Sequence, residues 1–274
     1  MPIEVRALSA HADLEEAVRL QQEIWGFEEI ELLPLRLFVV ATKVGGQAFG
    51  AFDGKRMVGF CLAIPGMKPP KPNRDREGVG DLPNRDREGV GDLHNRDREG
   101  VGYLHSHMLG VLPEYQNHGV GRKLKLAQRD DALARSIELI EWTFDPLEIK
   151  NAFFNMERLG AIVRRYVLNQ YGTTSSHLHG GLPTDRCIAE WWIGSARAKT
   201  IIAGQAFQRN LVESRIAIPS SIAAIRGSDS KRTREIQLKA SEQFREAFDR
   251  GLAVIGFEKS EEAGTYLLGQ WESR

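Results

Sequence analysis

The chain has 274 residues, and its 37 Lys and Arg balance 37 Asp and Glu, so no charge footprint marks it for a nucleic acid or another polyanion. A composition 42% hydrophobic and 27% charged is that of a folded globular protein with enough chain for a sizeable core. Two cysteines, Cys61 and Cys187, match no paired metal or redox spacing and argue against a disulfide framework. The first residues lack the basic and apolar regions of a secretory leader, and no apolar run approaches the ~18 residues of a membrane span. The expectation is a soluble, cytoplasmic protein with no nucleic-acid and no membrane partner.

The chain order is interrupted by a tandem repeat. Residues 72–104 read PNRDREGVGDL, PNRDREGVGDL, HNRDREGVGYL. Each unit has two strongly apolar residues beside two glycines, too little to offset the entropy of ordering it. The unit matches neither a nonapeptide calcium repeat nor a twelve-residue calcium loop, so the insert is read as a duplicated mobile loop. It precedes the strand that leads to the glycine loop described below, which puts the two about 30 Å apart at strand rise.

In chain order, residues 3–8 alternate as a strand. Residues 13–25 follow as a helix, with Asp13 and Glu16 as a capping box and Gly26 as the stop. A second helix spans about 33–43. Residues 47–52 and 57–64 flank Asp53-Gly54 as a β-hairpin, with loop over 65–71. After the repeats come a strand at 103–112, a helix at 119–135 and a strand at 137–144. Asp145-Pro146-Leu147-Glu148 then opens a helix that Gly160 ends. Strands at 162–168 and 186–193 follow. Beyond residue 205 the pattern gives a strand at 215–218, one helix at 228–250, and strands at 252–257 and 265–268.

The chemistry is densest in Leu109-Gly110-Val111-Leu112-Pro113-Glu114-Tyr115-Gln116-Asn117-His118-Gly119-Val120-Gly121-Arg122. A strand ends, a loop turns and a helix begins at two glycines, so free backbone N–H groups converge at the positive end of a helix dipole: a phosphate cradle. Arg122, Lys123 and Lys125 lie in the first helical turns, where cations oppose the dipole and an external anion would offset them. A P-loop needs Gly-Lys-Ser/Thr and a dinucleotide fingerprint needs a glycine at 124, where Leu124 stands.

Gln116-x-x-Gly119-x-Gly121 after such a strand resembles the pyrophosphate loop of the GCN5-related N-acetyltransferase (GNAT) superfamily, and the order of elements over 3–193 is similar to that fold. The wording from Leu104 to Gly121, with 151–172, resembles a bacterial predicted-acetyltransferase subgroup with a C-terminal extension. The resemblance implies an α/β (α+β) fold: a mixed, mostly antiparallel central sheet flanked by helices. Residues 1–195 would form the acyltransferase domain and 205–274 a small α/β extension. It also implies acetyl-CoA or another acyl-CoA as co-substrate, with no metal. Backbone amides over Gln116, Asn117, His118, Gly119, Val120, Gly121 and Arg122 would hold the pyrophosphate. The strands at 103–112 and 137–144 would splay for the pantetheine arm, and main-chain groups of Leu109, Gly110 and Val111 would sit by the thioester. The reaction would be direct attack of a small-molecule amine on the thioester. The alternative is a non-catalytic acyl-CoA sensor or interaction protein on the same fold.

His105 and His107 lie two apart on the strand and share a face. They are similar to the histidine pair of arylalkylamine N-acetyltransferases, which would make them acceptors for the amine's proton. The competing reading is a structural pair. His177 and His179 repeat the spacing, but no carboxylate completes a metal set. Met156 stands where the superfamily helix carries a tyrosine, and a thioether donates no proton. Tyr166 and Tyr171 are then the candidate acids, unless solvent protonates the thiolate. Asn151 and Asn155, four apart on that helix, are read either as reaching the CoA or as solvated. Trp25, Trp191 and Trp192 are read either as acceptor-pocket aromatics or as core.

Overall fold

The computed structural model describes residues 2–68, 101–172 and 182–271. The tandem units before residue 101, together with His177 and His179, lie outside the described residues. The order is β1 (Glu4–Ala7), α1 (His11–Trp25), α2 (Leu35–Lys43), β2 (Gln47–Asp53), β3 (Arg56–Lys68), β4 (Val101–Val111) and α3 (Val120–Ala134). Then come β5 (Leu139–Phe144), α4 (Ile149–Phe153) with a π-helical continuation (Phe154–Leu159), β6 (Ile162–Val167), β7 (Arg186–Trp192) and α5 (Ala196–Ile202). The chain closes with β8 (Ser214–Pro219), α6 (Ile222–Ser228), α7 (Ser230–Asp249), β9 (Ala253–Lys259) and β10 (Ala263–Gly269).

All ten strands join one sheet in the order β1-β2-β3-β4-β5-β7-β6-β9-β10-β8. Every pairing is antiparallel except β4 with β5. The fold class is therefore the expected one, mixed α/β with a mostly antiparallel sheet flanked by helices. Strands β8 to β10 extend the same sheet, joined to β6 at Val163 opposite Val254. One cluster of buried residues packs α1 and α2 on β2 to β4, centred on Phe38 and Phe60. The other runs from Leu104 and Trp142 through Trp191 to Phe244 and Tyr266. Each fully buried large side chain contributes roughly 1.5–3 kcal/mol.

Several boundaries differ from the sequence expectation. Helix α1 begins at His11 after Ala10, because Asp13 is held by both Nη atoms of Arg6, at 2.6 and 3.0 Å, and so does not cap. Strand β3 runs through the expected loop to Lys68, since β4 supplies partners as far as Val101. Helix α4 starts later than expected: the Asp145 carboxylate accepts from Leu147 N–H at 2.8 Å in a local turn, and both Asp145 and Glu148 pair with Arg226. The helix expected over 228–250 is α7, which Asp229 starts by taking the Arg232 N–H at 2.8 Å, and the short α6 ahead of it was not expected. Helix α5, capped by Ser195 accepting from Ala198 N–H at 3.2 Å, was not foreseen from the sequence pattern.

Candidate active site at the fork between β4 and β5

The parallel pair β4 and β5 is joined at only two positions, Leu104 with Ile140 and His105 with Glu141. Beyond them the strands part. From Ser106 to Val111, β4 keeps its ladder with β3, while its other edge has no strand partner among the described residues. Main-chain groups of Leu109, Gly110 and Val111 therefore line an open fork. The β3 register steps from Leu62 opposite Met108 to Ala63 opposite Ser106, which leaves His107 as the extra residue of a β-bulge.

The bulge decides which side chains share a face. Ser106 points toward α3 with Leu104, and beyond the bulge Leu109 takes that side, 3.5 Å from the space a Cβ on Gly121 would fill. His105, Met108 and Gly110 face α1. A Cβ at Gly110 would stand 2.7 Å from Trp25, so glycine there lets the indole lie on the strand. Trp25 is half-buried and packs on Phe27 and Phe60, while Trp191 is fully buried with its N–H donated to Leu159 at 2.7 Å. The late-strand tryptophan is core.

The rings of His105 and His107 lie 5.9 Å apart and are half-buried. Burial pushes both pKa values below the usual histidine range; the neighbouring imidazole adds to this at His105, with Glu141 opposing. Both rings are thus neutral at neutral pH and able to accept a proton.

On the opposite face of the fork lies a group that the sequence presents only as a first-turn helix cation. Lys125 of α3 is buried, bonded to Ser106 Oγ at 2.8 Å and placed 3.7 Å over the Trp142 ring, so it reaches from β4 to β5. Burial lowers its pKa to about 7. Its only sequence signal is a lysine on the inward stripe of α3, beside Val120, Leu124, Gln128 and Ala132. Glu141 and Glu190, cross-strand neighbours on the histidine face, were likewise unassigned. Both are buried and held by Lys68, Arg164 and Arg165.

At the end of β4 a 3-10 turn over Pro113–Tyr115 leads to Gln116, Asn117, His118 and Gly119, and Val120 opens α3. The helix has no side-chain cap and no acid in its first turn. Among the described residues, the N–H groups from Asn117 to Arg122 meet no acceptor, whereas Gln116 N–H is taken by Pro113 at 3.2 Å. The Gln116 side chain braces the loop on Val111 O at 3.1 Å. Positive φ at Asn117 and Gly119 turns the amides to one side. At Gly121 an added Cβ would meet only ordinary contacts, so the fold itself does not call for glycine there. In a helix that glycine costs about 1 kcal/mol against alanine. The cations are elsewhere engaged. Arg122 donates to Ile202 O at 2.6 Å and Lys123 to Ile3 O at 3.1 Å, so the donors left without an acceptor at this helix start, among the described residues, are main-chain N–H groups.

The remaining candidates separate. Tyr171 is exposed and its hydroxyl meets Thr143 Oγ1 at 2.9 Å, on β5 just past the fork's last pair. Tyr166 pairs with Cys187, which by the alternation of β7 faces away from Glu190. It stacks on Phe244 of α7 and donates to Asp185 at 3.1 Å; burial first, then the Asp185 charge, raises its pKa. The structure therefore does not bring Tyr166 to the histidines. Met156 is fully buried in the core, Asn151 is exposed, and Asn155 is buried with an amide nitrogen that finds no acceptor among the described residues. Also among the described residues, no group of three or more His, Cys, Asp or Glu could hold a metal ion, and no helix is long and apolar enough to cross a membrane.

No protein-family model and no curated protein matches this chain. Solved structures do resemble it. The ribosomal-protein-S18-alanine N-acetyltransferase from Escherichia coli aligns at 16% identity and TM-score 0.47, over 77% of this chain and 99% of its own. Arabidopsis thaliana NAA60 in complex with acetyl-CoA aligns at 14% and 0.48, over 70% and 99%. The yncA structure from Salmonella typhimurium, with its cofactor acetyl-CoA, aligns at 13% and 0.46, over 72% and 97%. Identities this low leave the functional assignment to the chain's own residues.

Proposed function

We propose that this chain is a GNAT-type, acyl-CoA-dependent N-acyltransferase acting on the amine of a small molecule, with residues 1–195 carrying the reaction and 205–274 as an extension. The observation that carries the reading is the fork: two parallel strands paired at Leu104/Ile140 and His105/Glu141, next to a helix start whose N–H groups from 117 to 122 lack acceptors among the described residues. An acyl-CoA supplies an activated acyl group on a sulfur leaving group. The free amides from Asn117 to Arg122 suit its pyrophosphate, and the amide nitrogen of Asn155 is a spare buried donor for the arm. The open edge of β4 at Leu109, Gly110 and Val111 offers main-chain donors where charge develops on the acyl oxygen.

The proton economy follows from the two faces. An amine must lose a proton to attack, and neutral His105 or His107 takes it. The nitrogen bonds to the acyl carbon, the carbon–sulfur bond breaks, and the departing sulfur needs a proton. Tyr171 stands at the fork's rim, but Lys125 reaches across the fork between Ser106 and Trp142, with a pKa near neutrality. Lys125 is the donor that this geometry favours.

Calorimetric titration with acetyl-CoA and desulfo-CoA tests the premise, and absence of binding to either ends it. Gly121→Leu sharpens the result: acetyl-CoA affinity is expected to fall at least ~10-fold while the chain stays folded with little change in melting temperature, because a Cβ added at Gly121 meets only ordinary contacts, Leu109 at 3.5 Å and Val111 at 4.0 Å. Binding without thiol release for any amine would instead make the chain an acyl-CoA sensor.

A further inference from the structure

We propose that the acceptor amine also bears a carboxylate, and that this group docks in the basin beside the fork; the proposal rests on the acyltransferase reading above. The basin, of about 540 Å³, is lined by Met67, Lys68, Tyr103, Arg164, Arg165 and Glu190. It lies on the histidine face, because Glu190 is the cross-strand neighbour of Glu141, and Glu141 that of His105.

Three cations meet two carboxylates there. Glu141 and Glu190 are 4% and 2% exposed, while Lys68, Arg164 and Arg165 keep 30%, 39% and 43% of their side chains accessible. Among the described residues of this group one positive charge is left over. The hydrogen-bond count points the same way. A guanidinium offers five donors, and Arg164 gives one of them, through Nη2, to Glu190. Arg165 gives Nη2 to Glu141 at 2.5 Å and Nε to Glu190 at 3.4 Å. The buried glutamates hold the cationic heads in place, and the residues with unspent donors line the basin. Planar forks with spare donors suit a carboxylate.

The spacing sets the size of the acceptor. Arg164 and Arg165 stand on β6, three strand intervals or about 14 Å from β4, while Lys68, paired with Glu141 beside His105, marks the near edge of the basin. An amine at His105 and a carboxylate at that near edge would be separated by a few bonds, as in an amino acid. An acidic side chain on a peptide has the same chemistry, and the test separates the two.

The full chain is assayed for thiol release from acetyl-CoA with amino acids, with their carboxamides, and with short peptides having an acidic second residue. At least ~10-fold higher kcat/KM for the acid than for its carboxamide is expected, and Arg164→Gln with Lys68→Gln should shrink that ratio toward one without altering acetyl-CoA affinity. Preference for the peptide over the amino acid assigns the carboxylate to a side chain. Equal rates for acid and carboxamide, or turnover of amines without any carboxylate preference, overturn the proposal. A second measurement stands apart from turnover: calorimetry with N-acetylglycine and N-acetylglycinamide, in which equal affinities, or no loss on Arg164→Gln, also overturn it. Failure to bind acetyl-CoA while N-acetylglycine is still selected over its amide would sink the acyltransferase reading and leave the carboxylate site standing.

Discussion

The fork and the neighbouring basin both bury ionisable groups, and they treat them in opposite ways. At the fork, His105, His107 and Lys125 are desolvated without a carboxylate bonded to any of them, and all three pKa values fall. In the basin, Glu141 and Glu190 are as buried as Lys125, yet each meets two cations. Burial without a counter-charge moves protons toward neutral pH, where they can be exchanged; burial with one fixes charge in place, where it can recognise charge. Two neighbouring surfaces of one sheet thus suit proton transfer and binding respectively.

The comparison is broken most severely at the histidines. Replacing both His105 and His107 by Gln is expected to lower kcat by roughly 10²–10⁴ while leaving acetyl-CoA affinity intact, read by steady-state turnover and calorimetry. Unchanged turnover from pH 6 to 9, a range bracketing the histidine value of about 6.5, would move the base elsewhere.

Lys125 comes next, with effects of opposite sign on stability and rate. Its folded pKa, about 7, lies below the unfolded value of about 10.5, so between these pH values the unfolded chain binds the extra proton and stability rises with pH. Below pH 7 the penalty is complete, on the order of a few kcal/mol. Lys125→Met should therefore raise the denaturation midpoint at pH 6 more than at pH 10, with turnover reduced. On the acyltransferase reading, the rate of the unmodified chain should climb as the histidines lose their protons and decline as Lys125 loses its own; the variant should lack that decline.

Smaller effects are expected in the basin. Glu190→Gln leaves Arg164 and Arg165 short of a counter-charge at their buried end, and a loss of about 1–3 kcal/mol by urea unfolding is expected, since both arginines can still turn to water. Arg164→Gln removes one partly exposed pair and should shift stability by less than ~1 kcal/mol. A larger loss for Arg164 than for Glu190 would show that the guanidinium, not the carboxylate, organises the basin.

Local chemistry made the loop and the strands legible. Gly119 and Gly121 announce a helix start without caps, and the alternation of 137–144 announces β5, because these features depend on near neighbours along the chain. Tyr166 shows the opposite case. Its nearness to Met156 in sequence made it a candidate acid, but strand alternation and Phe244, 78 positions away, place it under α7. Lys125 reads as one more helix cation until Ser106 and Trp142 enclose it. Asp13 and Asp145 show local signals outcompeted, the first by Arg6 across a turn and the second by its own Asx turn and Arg226.

What the sequence by itself determined is the sheet's makeup and the uncapped, glycine-flanked start of α3, since periodicity and glycine placement act within a few residues. Tertiary structure decided how each ionisable group carries its charge. That depends on desolvation and on partners from distant strands: Glu141 beside the charged Arg165, Lys125 beside the uncharged Ser106 and Trp142. No local pattern carries that information, because a lysine codes the same on a solvated helix face as inside a fork between two parting strands.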